Sequence, residues 1–122
     1  MKKLLLILIL FFTTIVVFAQ NTFVYKYTTY VTNINDVMSE MKPTQTTFVF
    51  NEGNSTDIVV YQDGDTKRFY RTGGITKGKT KGGYDYQLVD CIQDKTGYKA
   101  SIQLFDDAVR IFMQGDYIEY QK

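Results

Sequence analysis

From residue 23 to the C-terminus the chain keeps a period of two, broken at short intervals by Gly- and Asp-bearing turns. This pattern points to antiparallel sheet, because side chains two apart share a strand face and short turns bring each strand back beside the last. Residues 23–31, FVYKYTTYV, are aromatic and β-branched and predict a long first strand. Further strands are predicted at residues 46–50, 57–61, 67–72, 84–92, 98–105, 108–113 and 117–120. Gln62-Asp63-Gly64-Asp65, the segment ending in Gly97 and Gln114-Gly115-Asp116 supply turns whose glycines accept positive φ. The expected fold is all-β, an antiparallel meander of about 7–8 strands forming a small barrel or sandwich.

Parity assigns faces on two of these strands. Tyr98, Ala100, Ile102 and Leu104 share one side, opposite Lys99, Ser101 and Gln103. Val109, Ile111 and Met113 share another, while Phe112 breaks the polar side that Arg110 begins. Such a ring is either part of a ligand surface or an edge-packed side chain, and the second is the commoner case. Residues 33–42 fit two structures. Asn35 or Asp36 would cap a short helix near residues 35–41 carrying Val37, Met38 and Met41. The same residues would also make a short irregular strand ending near Pro43.

The first residues belong to a different chemistry. Met1-Lys2-Lys3 is followed by an apolar run from Leu4 to Phe12, then Ile15-Val16-Val17-Phe18 and Ala19-Gln20. A positive start, an apolar stretch and a small residue at the cut describe a secretory signal. Residues 1–19 are expected to be the signal peptide, cleaved after Ala19, and residues 20–122 a single β domain. An exported protein is implied, periplasmic or extracellular, touching the membrane only through the signal before cleavage. The whole chain carries a formal net charge of +1; without Lys2 and Lys3 it has 12 basic and 13 acidic side chains.

Composition then narrows the chemistry. With no His there is no His general base and no Ser-His-Asp or Cys-His pair. One Cys makes neither an internal disulfide nor a four-thiolate site, and Cys91 between Asp90 and Ile92 reads as a small buried hydrophobe. Near-neutral charge argues against nucleic acid as a partner. Asp63 with Asp65, and Asp106 with Asp107, fall where turns favour Asp for local hydrogen bonds, so neither pair is read as catalytic or calcium-binding. Tyr25 with Tyr27, and Tyr84 with Tyr86, are same-face pairs that would suit a sugar platform, but Tyr equally suits a half-buried strand.

Gly73-Gly74-Ile75-Thr76-Lys77-Gly78-Lys79-Thr80 matches the phosphate-loop pattern G-x-x-x-x-G-K-[ST]. That chemistry needs a helix after the loop to present its N-terminal amides. Here Lys81-Gly82-Gly83 leads into a predicted strand, so no nucleotide is expected. Residues 73–83 read instead as a flexible Lys-rich loop. Its lysines, Lys77, Lys79 and Lys81, either discourage strand pairing at an edge or form a partner-contact loop for an anionic surface.

Tyr84-Asp85-Tyr86-Gln87-Leu88-Val89-Asp90-Cys91-Ile92 and Ala108-Val109-Arg110-Ile111-Phe112-Met113-Gln114-Gly115-Asp116-Tyr117-Ile118, with Phe18-Ala19-Gln20, resemble small exported β-meander proteins of Gram-negative bacteria. That group is of unknown function and lipocalin-like in outline. The resemblance implies the barrel shape and no site residues, since the Gly-x-Trp signature of lipocalins needs a Trp that this chain lacks. The sequence therefore implies a non-enzymatic exported β-domain, with no catalytic, metal or cofactor-binding residues. It would bind a small apolar ligand or serve as an envelope structural module. The alternative is a protein-interaction or inhibitor module docking on an envelope protein through a strand edge or residues 73–83.

Overall fold

The computed structural model describes residues 22–54 and 56–122; the signal expected over residues 1–19 lies outside them. The strands are β1 (Phe23–Ile34), β2 (Val37–Met38), β3 (Lys42–Phe50), β4 (Ile58–Gln62), β5 (Asp65–Lys79), β6 (Asp85–Gln93), β7 (Lys99–Leu104), β8 (Ala108–Met113) and β9 (Asp116–Gln121). A single 3-10 turn, Glu52–Asn54, leads from β3 toward β4. Each strand from β3 to β9 pairs antiparallel with the next, and β1 pairs with both β3 and β9. The meander therefore closes into an eight-stranded barrel, with β2 as an additional short strand on β1.

Closure depends on how β1 is shared. It pairs with β3 from Phe23 to Tyr30, but with β9 only from Thr29 to Asn33. This offset is the stagger that a closed, tilted barrel requires. A register shift between Tyr27 and Thr29 marks the bulge where the strand bends. The inward side chains then follow parity: Phe48 and Phe50 on β3, Ile58 and Val60 on β4, Ala100 and Ile102 on β7, Val109 and Ile111 on β8 are all buried. Tyr27, Phe48 and Tyr120 make the aromatic centre, with Phe48 at 5.6 Å from Tyr27 and 5.2 Å from Tyr120, both edge-on.

We call the end where β1 starts the lower end. At the upper end, polar groups tie neighbouring strands together. Thr44 and Thr46 hydroxyls are 2.8 Å apart, Thr44 Oγ1 donates to Asp63 Oδ2 at 2.9 Å, and Tyr120 Oη donates to Gln62 Oε1 at 2.7 Å. Each of these three hydroxyls has a partner, so its burial costs little.

Two expectations need correction. The helix considered near residues 35–41 does not form. Asn35 and Asp36 both take positive φ, 53° and 64°, as the central pair of a tight hairpin turn between β1 and β2. Ser39 then replaces a ladder partner: its N–H donates to Thr32 O, and its Oγ accepts from Thr32 N, both at 2.8 Å. Helix capping loses because strand pairing on β1 is already available. The second correction concerns residues 73–83. They are strand as far as Lys79, and the turn to β6 begins only at Thr80.

Candidate functional site

β5 and β6 form a long hairpin that reaches the lower end of the barrel. Arg71 stands opposite Cys91 and Ile75 opposite Val89, so residues 72–74 face Asp90 alone in a bulge. Beyond it Lys77 pairs with Gln87 and Lys79 with Asp85. Lys77 and Lys79, two apart on β5, share a face, while Lys81 lies past the end of the strand. Lys77 shares the face of Ile75 and lines a groove at the lower mouth. Lys79 lies 3.6 Å from Asp85 in an exposed ion pair, a contact of little energetic weight. Lys81 sits in the exposed turn. The phosphate-loop match is spent on strand and turn.

Inside the lower end, the packing gives way to a cavity of about 150 Å³. Phe23, Tyr25, Phe50, Ile75, Val89 and Leu104 supply its apolar walls; Asn51, Arg71 and Gln87 supply polar groups. Tyr25 packs edge-on to Phe50 at 5.6 Å, which sets the rear wall. Phe23 and Ile75, at 48% and 47% exposure, form an apolar rim. A groove of about 390 Å³ continues outward past Lys77, Tyr86 and Phe105, sharing Tyr25, Gln87 and Leu104 with the cavity.

Asn51 anchors the polar side. Its φ of 59° ends β3, its N–H donates to Asp57 O at 3.0 Å, and its carbonyl accepts from Thr22 Oγ1 at 3.1 Å. So held, Asn51 Oδ1 accepts from Arg71 Nη2 at 2.9 Å. Arg71 Nε is closed off from solvent and has no acceptor. In the sequence Arg71 stands just upstream of the Lys-rich segment, among basic neighbours. Its parity with Phe69 across Tyr70 was the available signal, because Phe69 is a core residue.

The other candidates have structural roles. Asp63, at φ 47°, accepts from Gln45 N at 2.9 Å as well as from Thr44, so its carboxylate joins the turn to β3. Asp106 and Asp107 lie exposed after β7. Cys91 is buried, its thiol directed at Ala100 O at 3.5 Å. Burial, followed by the nearby Asp90 charge, pushes its pKa up to about 12, which leaves a thiol without nucleophilic character at neutral pH. Phe112 packs on Tyr117 at 5.3 Å on the outer face, the edge-packed alternative. Arg110 spans from Phe105 to Tyr117, its Cζ 5.6 and 5.2 Å from their ring centroids. Among the described residues, no group of three or more His, Cys, Asp or Glu side chains is arranged to hold a metal ion. Two larger depressions, about 670 Å³ each, are broad and open, one beside Asp90, Ser101 and Phe112 and one beside Tyr84, Asp106 and Arg110. Comparison with protein-family models, curated proteins and solved structures found no match to this chain.

Proposed function

We propose that the protein is a non-enzymatic barrel that binds a small, mainly apolar ligand through its lower end. One observation carries this reading: the barrel core opens there into a 150 Å³ apolar cavity with an exposed Phe23 and Ile75 rim. A cavity of that size accepts a body about as large as a benzene ring. The adjoining 390 Å³ groove gives room for a longer ligand to run outward. Apolar walls with a few fixed polar groups are the usual make-up of a small-molecule site. In the exported setting expected from residues 1–19, such a barrel would carry its ligand outside the cytoplasm.

The test is a toluene titration of isotope-labelled protein followed by NMR. Toluene is expected to shift the amide signals of Phe50, Ile75, Val89 and Leu104, and Ile75→Trp, which fills the exposed rim, is expected to abolish the shifts. Unchanged signals in the wild type would sink the reading.

A second reading, docking on a protein, is favoured by the β1–β2 hairpin. Ile34, Val37, Met38 and Met41 are 52–69% exposed there, and clustered exposed apolar side chains suit an interface. If that partner is another copy of the chain, sedimentation of the wild type will show a dimer that Val37→Glu removes. Monomer in both would count against it.

A further inference from the structure

We infer that the ligand carries a carboxylate, and that Arg71 binds it inside the lower cavity. This deepens the ligand-barrel reading and rests on it. A guanidinium presents five N–H donors and stays protonated at any physiological pH. Among the described residues one acceptor, Asn51 Oδ1, answers those donors, and Nε is buried without any. None of the four ion pairs among the described residues involves Arg71. Arg68, on the outer side of the same strand, shows the contrast: Asp57 lies 3.0 Å away and Glu52 3.9 Å. A cation drawn into a partly desolvated site without an anion is costly, and an incoming anion recovers that cost.

The shape of the site selects the kind of anion. Asn51 holds one edge of the guanidinium, leaving the other donors for a planar acceptor such as a carboxylate. The walls around it are Phe23, Phe50, Ile75, Val89 and Leu104, which suit an apolar body and leave a bare inorganic ion poorly solvated. Outside the cavity Lys77 is offset by Asp85 and Asp106, so the groove adds no net attraction for anions. The preference for negative charge therefore comes from Arg71. A small aromatic or branched monocarboxylate fits both the volume and the charge.

Benzoate, benzamide and toluene separate the contributions. Benzoate and benzamide share size and shape but differ in charge, and toluene reports the apolar cavity alone. Benzoate is expected to bind roughly 10- to 100-fold tighter than benzamide, as a charge-assisted hydrogen-bonded pair should. Arg71→Gln should erase the difference while toluene still binds. Asn51→Asp should do the same by placing an internal carboxylate on Arg71, and its left-handed backbone at 59° remains accessible to Asp. Agreement of the two variants guards against a folding defect in either one. If benzoate and benzamide bind equally, or if both variants leave their ratio unchanged, the anion assignment is overturned while toluene binding keeps the barrel reading. If none of the three probes binds the wild type, both fall.

Discussion

The ring of Tyr86 lies across Gly78: a Cβ on Gly78 would stand 2.5 Å from both Cζ and Oη of that ring. The hairpin partners Gly78 and Tyr86 are directly opposite in register, and Tyr86 also packs on Phe105 at 5.8 Å. The absent side chain thus lets the groove wall lie flat. Gly78→Ala is expected to displace the ring from Phe105 and cost about 0.5–1.5 kcal/mol, the worth of an aromatic pair. In a Tyr86→Ala background the same substitution should become neutral or slightly stabilising, since Ala restricts the unfolded chain. Urea denaturation of the four proteins in this cycle checks it; equal costs in both backgrounds would disprove the contact.

Asp63 joins a turn to a neighbouring strand, a role beyond turn preference. It accepts from Thr44 Oγ1 and from Gln45 N, both at 2.9 Å, from a backbone at φ 47°. Asp63→Gly keeps the backbone accessible and removes both acceptors. It is expected to lower stability by about 2–3 kcal/mol, the sum of two hydrogen bonds to a charged group less the relief of backbone strain. Asp63→Asn, retaining one carbonyl oxygen, should fall between. Chemical denaturation midpoints for the three proteins give the order, and a Gly variant as stable as the wild type would remove Asp63 from the upper-end network.

The signal reading of residues 1–19 makes a discrete prediction. Protein recovered from the producing cell is expected to begin at Gln20, with Ala19 as the last residue removed. Intact-mass measurement of exported protein decides this. A mass that retains Met1 to Ala19 would replace cleavage with anchoring.

Much of this barrel was legible because period two and parity are local. Ala100 and Ile102 alternate with Lys99, Ser101 and Gln103, Val109 and Ile111 flank Arg110, and all four prove buried. Three features were hidden, each for a physical reason. Asn and Asp favour both a helix N-cap and a left-handed turn, so Asn35-Asp36 could not choose without the pairing of Val37 opposite Ile34. The Gly- and Lys-rich composition of residues 73–79 has poor strand propensity, yet β6 is there to pair with it. Register and packing override propensity. Arg71 was concealed by its neighbours: Arg68 and the lysines invite a surface reading, whereas parity with Phe69 turns it inward. That inward turn, together with the bulge after it, makes the lower cavity charged, and neither the bulge nor the cavity can be read from spacing alone.

Alkaline pH should expose a weakness in the core. Burial, and secondarily Asp90, raises the Cys91 thiol from its ordinary 9.0 to about 12. Burial also raises the Tyr27 and Tyr120 phenols above their ordinary 10.0, with nearby tyrosines adding to the shift. Unfolding releases these groups to water, where each ionises at its ordinary pKa. Below pH 9 both states keep the thiol proton and stability is unaffected by it. Above pH 9 the unfolded chain gives up a proton that the folded chain retains, so stability falls as pH rises toward 12. The phenols steepen the loss above pH 10. Cys91→Ala is expected to flatten the portion between pH 9 and 10 and leave the steeper fall beyond it, measured as urea midpoints across the alkaline range. Thiol-reagent kinetics supply an independent check: Cys91 should react only as fast as the barrel opens, with a rate that rises as urea is added. Rapid labelling of the native protein at pH 8 would show the thiol to be reachable and the core less tightly closed at β6 and β7.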